Sequence, residues 1–274
     1  MNKRSGKFAR AAALALWLVC GVAAATQQQQ QQQQQPQRQR WNGLVDTIFD
    51  HFDADIGLPN VAVTGIAQDR AGFLWVATLS GLARFDGYRA QVFLHDAKVA
   101  GSLPDNVLNK IAIDANDDVW VGSLTAGLAR YDRSHNRFDA FTAGPDGLSN
   151  NGVFALQDGA DGLWIGTGGG LDFRPRDGAP FQHFRHDAAK PGSLPGNVVT
   201  ALAQDRSGTL WIGTSVGLVR RDARSGAFSA PDADSGATTA ALKAPVSALL
   251  CDSRGRIWFA LEGHGLGMID PASG

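Results

Sequence analysis

The sequence predicts an all-β fold, a β-propeller with five four-stranded blade repeats of about 46 residues. Three observations carry this. A unit running from Asp through Trp to a Gly-Leu pair recurs five times, starting at Asp69, Asp114, Asp158, Asp205 and Asp252. Its indoles, Trp75, Trp120, Trp164, Trp211 and Trp258, stand 45, 44, 47 and 47 residues apart. Of the 274 residues 33 are Gly, and few stretches show helical spacing. Self-similarity of this length marks a stacked array whose units cannot bury their apolar faces alone.

The copy at Asp205 shows each element. Residues 198–204 are apolar and β-branched, as a buried inner strand requires. A tight turn at 205–208 leads to a second strand at 210–214 and a third at 217–222, with a fourth around Phe228. The Asp carboxylate is expected to accept backbone N–H groups two and three residues on, closing an Asx-type turn. Gly72, Gly162, Gly208 and Gly255 are expected to supply positive φ there, and Asp117 takes that place in the second copy. Each Trp is expected to wedge between neighbouring blades, contributing a few kcal/mol. Small residues after it (Ala77, Gly122, Gly166, Gly213, Ala260) let adjacent sheets approach. A further Gly (Gly81, Gly127, Gly170, Gly217, Gly265) suits the turn into the third strand. These columns are structural, since a catalytic carboxylate needs no counterpart in every blade.

Ahead of the repeats, residues 1–25 read as a signal peptide. Lys3, Arg4, Lys7 and Arg10 precede an apolar run at 11–19, and Ala23, Ala24 and Ala25 offer a cleavage site. Residues 26–40, with glutamine from 27 to 35, read as a disordered linker. The propeller repeats then occupy 41–274. Cys251 is the one cysteine beyond the leader, so the fold is held by packing, and the thiol is expected in the core. Past residue 40 the chain has 19 basic against 26 acidic residues, a net charge of −7. That sign opposes binding to nucleic acid.

The run Gly57-Leu-Pro-Asn60, then residues 68–78 around Asp69 and Trp75, then 81–87, resembles the two-component regulator propeller repeat. The resemblance extends over residues 46–270. It implies the periplasmic sensor region of a membrane-bound signalling protein, chiefly a hybrid histidine kinase or a diguanylate cyclase. Copy three departs, with Gly168, Gly169 and Gly170 in its hairpin and Asp172 after it; copy five has Ala244 and Pro245 in place of the Leu-Pro-x-Asn lead-in. The sialidase Asp-box is similar in outline, but only Tyr88 and Tyr131 are present to serve as its nucleophile. The last repeat stops after three strands. Either residues 46–52 supply its outer strand, or the propeller continues beyond residue 274; the family implies the second.

A ligand is expected where the hairpins between second and third strands meet the lead-ins to the inner strands. Asn60, Asn106, Asn151 and Asn197 end those lead-ins, and Glu262 with His264 breaks the small-residue pattern of the hairpins. His51, His95, His135, His183 and His186 show no metal-ligand spacing. No catalytic motif, nucleophile–base pair, cofactor or metal site is expected. The expected partners are a small molecule or glycan and a second copy of the chain, with a membrane reached only through a region beyond residue 274. The alternatives are a secreted propeller enzyme acting on polysaccharide and a protein-interaction scaffold.

Overall fold

The computed structural model describes residues 57–231 and 241–271. The leader, the glutamine linker, His51 and the segment 46–52 lie outside the described residues. Within them the chain is an all-β propeller of five blade repeats, each an antiparallel meander in chain order. Blade one is β1 (Val63–Gln68), β2 (Leu74–Thr78), β3 (Gly81–Phe85) and β4 (Ala90–Phe93). Blade two is β5 (Leu108–Ile113), β6 (Val119–Ser123), β7 (Leu128–Asp132) and β8 (Arg137–Phe141). Blade three is β9 (Val153–Asp158), β10 (Gly162–Thr167), β11 (Gly170–Pro175) and β12 (Gln182–Phe184). Blade four is β13 (Val199–Gln204), β14 (Leu210–Thr214), β15 (Gly217–Arg221) and β16 (Phe228–Ser229). Blade five shows β17 (Val246–Cys251), β18 (Ile257–Leu261) and β19 (Gly265–Ile269) among the described residues. The inner strands β1, β5, β9, β13 and β17 pack against one another in that order.

The indoles join each blade to the next. Trp75 packs with Leu103, Leu108 and Val119 of blade two, and Trp120 with Leu148, Val153 and Ile165 of blade three. Trp164 meets Leu194, Val199 and Ile212 of blade four; Trp211 meets Val246, Ile257 and Phe259 of blade five. The third strand of the following blade adds a cover: Tyr131 lies 5.0 Å from Trp75, Arg174 5.3 Å from Trp120 and Arg221 4.9 Å from Trp164. Burial lowers the pKa of both guanidiniums, and the ring faces supply part of what water gave. The small residues leave room for this approach. A Cβ on Gly122 would stand 2.5 Å from Val153 Cγ1, and one on Gly213 2.6 Å from Val246 Cγ1.

The Asp residues do more than close a turn. In blades one, two, four and five the carboxylate reaches along the hairpin to the indole of its own blade. Trp75, Trp120, Trp211 and Trp258 donate Nε1–H to Asp69, Asp114, Asp205 and Asp252 at 2.9, 3.0, 3.0 and 3.0 Å. The other oxygen accepts the N–H four residues on, from Phe73, Asp118, Thr209 and Arg256. The N–H three residues on goes instead to the Asp backbone carbonyl, as Gly72 does to Asp69 at 2.9 Å, which corrects the expected bond to the side chain. Gly72, Gly208 and Gly255 have φ of 92°, 86° and 85°, and Asp117 has 68°.

Blade three differs by one residue. Trp164 pairs with Gln157, whereas Trp75 pairs with Ala67, two positions ahead of its Asp. The hairpin is therefore one residue shorter, closed by Gly159 N–H on the Gly162 carbonyl at 2.9 Å. Asp158 is the last residue of β9 rather than a turn residue, and it bonds Arg176 at 2.7 Å. Gly162 opens β10 and is not among the glycines at positive φ. Cys251 is half-buried at the end of β17. Burial first, then Asp205 and Asp252, push its thiol pKa up, which disfavours the reactive thiolate.

Candidate functional site

The lead-in asparagines fall into two columns, not one. Counting from the first residue of each inner strand, Asn60 is equivalent to Asp105 and Asn150, one position ahead of Asn106, Asn151 and Asn197. Asn60, Asp105 and Asn150 each accept the N–H two residues on, at 2.7, 3.0 and 2.8 Å. Two of them also reach the neighbouring hairpin, Asn60 donating to Ser80 Oγ at 2.8 Å and Asp105 accepting from Thr125 Oγ1 at 2.7 Å. The second column joins blades. Asn106, Asn151 and Asn197 accept the N–H groups of His95, Ala143 and His186, each at 2.7 Å, from the segment leaving the preceding blade. Glu262 and His264 are exposed on the β18–β19 hairpin, with backbone bonds from Glu262 to Pro245 and from His264 to Leu261.

A polar cluster that sequence reasoning missed sits in blade three. Asp172 on β11 is 0% exposed. Its carboxylate accepts the Ser149 N–H at 2.7 Å and the Ser149 hydroxyl at 2.6 Å. His183 Nδ1, on the paired residue of β12, lies 2.8 Å from the same carboxylate. An ionised carboxylate accepts only, so Nδ1 carries the hydrogen and Nε2 is left as the free ring nitrogen. Arg185 donates to the Ser149 hydroxyl at 3.3 Å. Ser149 Oγ and His183 Nδ1 share one carboxylate oxygen, so the hydroxyl proton is directed at Asp172 rather than at an imidazole base. That arrangement orients a histidine; it does not activate a serine.

Three coordinated departures from the repeat build this cluster. The residue after the lead-in Leu is Pro59, Pro104 or Pro195 in other blades, and Ser149 here supplies an N–H that proline lacks. Asp172 stands where Ala83, Ala129, Val219 and Gly267 stand, and His183 where Val92 and Ala140 pair across. The signal was legible only once the third and fourth strands were aligned residue by residue.

The cluster borders a groove of about 610 Å³ between the outer strands of blades three and four. Its lining includes His183, Arg185, His186, Asp187, Lys190 and Phe228. The connector that forms one wall, residues 186–195, has a twin at 95–104. In both, an imidazole Nδ1 meets the carbonyl of the lead-in Leu, His95 with Leu103 at 2.8 Å and His186 with Leu194 at 2.7 Å. In both, a serine hydroxyl donates to the Asp carbonyl, Ser102 to Asp96 at 2.8 Å and Ser193 to Asp187 at 2.9 Å. The histidines scattered in sequence thus include two anchoring residues of a repeated connector.

Residues 57–80 and 193–216, the lead-in through second strand of blades one and four, match the two-component regulator propeller family. Blades one and four carry two-component regulator propeller repeats. Among solved structures, the repeats are similar to the extracellular domain of a hybrid two-component system of B. thetaiotaomicron, at 24% identity over 82% of this chain and 36% of that one, TM-score 0.53. A second such domain from B. thetaiotaomicron matches at 20% identity over 81% and 32%, TM-score 0.64. Virginiamycin B lyase from Staphylococcus aureus matches at 15% identity over 79% and 69%, TM-score 0.59. These likenesses share the propeller fold, and the chain spans about a third of the two extracellular domains. No curated protein matches the chain.

Proposed function

We propose that the chain is the periplasmic, ligand-sensing propeller region of a transmembrane two-component-type signalling protein, its output module a histidine kinase or a diguanylate cyclase. The observation that carries this is the match of two blades to the regulator propeller family. The charged, apolar and small-residue segments of 1–25 support export. Binding of a small molecule or glycan would favour one pairing of two propellers over another, and that difference in affinity sets the output equilibrium.

Two measurements test it. Alkaline phosphatase joined after residue 274 is expected to be active in cells only when residues 1–25 are present; equal activity without them contradicts export. The gene product containing the chain is expected to encode a membrane span and a kinase or cyclase module, and a product ending without either removes the signalling assignment. Turnover of a polysaccharide by the purified chain would instead mark a propeller enzyme.

A further inference from the structure

We propose that the groove between blades three and four binds an oxyanionic group, a carboxylate or a phosphate, of a small ligand through Arg185 and His183. The proposal concerns binding alone and holds whether or not the chain signals. Charge bookkeeping at the groove favours an anion. Asp172 is buried, and its oxygens are met by the Ser149 N–H, the Ser149 hydroxyl and the His183 imidazole. Asp187 accepts the Ala189 N–H at 3.0 Å and lies 3.7 Å from Lys190. Both acids are thus engaged by the protein itself. Arg185 is not: its one bond among the described residues is the 3.3 Å contact with Ser149, leaving most of its five N–H donors for a ligand. A guanidinium fork of this kind suits the paired oxygens of a carboxylate or phosphate.

The two imidazoles complete the site. His183 is held by Asp172 and His186 by the Leu194 carbonyl, each through Nδ1. Nε2 of each ring is therefore the free nitrogen, and both residues line the groove with Arg185 between them in sequence. Orientation by an acceptor behind the ring reduces the ordering cost of binding. Phe228 and Leu194 give the same groove an apolar wall for the body of the ligand.

The molecule contains its own control. The twin connector at blades one and two keeps His95 on Leu103 but has Leu94 in place of Arg185 and Val92 in place of His183. The test is an NMR titration of the full chain, following the imidazole Cε1–H signals of His95, His183 and His186 at fixed pH. Inorganic phosphate and citrate are added separately, against sodium chloride of equal ionic strength. At least one of the two anions is expected to give saturable shifts at His183 and His186 with His95 unmoved, and which one acts identifies the oxyanion. Arg185→Leu, the blade-one residue, and Arg185→Gln are each expected to weaken that binding tenfold or more while the melting temperature is unchanged. No saturable shift with either anion, equal shifts at His95, or an unchanged Kd in both variants overturns the proposal.

Discussion

The Asp carboxylate that clasps the indole of its own blade decides the energetics at the residue scale. Asp69 bonds the Trp75 indole and the Phe73 N–H, and Arg133 of blade two reaches it at 3.0 Å. Removing the carboxylate strands a buried indole N–H, while Arg133 keeps its bonds to Asp117, so Asp69→Ala is expected to cost about 2–3 kcal/mol in urea denaturation. Asp158→Ala, which loses a partly exposed pair with Arg176, is expected to cost less than about 1 kcal/mol. Equal losses would contradict the one-residue offset of blade three. Burial works to raise the Asp69 pKa, but the Trp75 indole, Arg133 and the Phe73 N–H together hold it below the ordinary 3.8. A depressed carboxyl contributes stability above its unfolded pKa and loses it as pH falls through the folded value. Wild type is therefore expected to lose stability below about pH 4, with a shallower fall in Asp69→Asn, read as urea midpoint against pH. The repeated Asp and Trp were plain in the sequence. Their bond was not, because it joins residues six apart across a hairpin whose register a string of letters leaves open.

At the scale of the element, the tolerance of each strand depends on what the next blade places against it. Gly122 faces Val153 so closely that a methyl would stand 2.5 Å from Cγ1, whereas nothing lies within 4 Å of a Cβ on Gly144. Gly122→Ala is expected to lower stability by about 1–3 kcal/mol through overpacking, and Gly144→Ala to leave the urea midpoint nearly unchanged. A neutral Gly122→Ala would mean the blades sit further apart than described. The strand boundaries, the Trp wedge and the small-residue column were legible, because each recurs in every copy. The Ser149, Asp172 and His183 cluster was not, because it occurs once, and its members lie 23 and 11 residues apart on segments that only the meander brings together. The same averaging grouped Asn60 with Asn106, although their backbone positions differ by one.

Across the whole molecule, the account is of blades that share one clasp and one wedge, with blade three giving up the clasp and carrying a polar groove instead. Sequence alone could yield the propeller, since its periodicity is a property of the chain. The proposed sensing role rests on the match of two blades to the regulator propeller family, and the groove had to await the fold. The offset of blade three is tested most directly by solvent exchange of the indole N–H protons in a ¹⁵N-labelled full chain. Trp75, Trp120 and Trp211, each buried and bonded to a carboxylate, are expected to exchange slowly. Trp164, 7% exposed, lacks that bond because Asp158 ends β9 and pairs with Arg176 instead, and it is expected to exchange at least tenfold faster. Four indoles exchanging at one common slow rate would contradict the account.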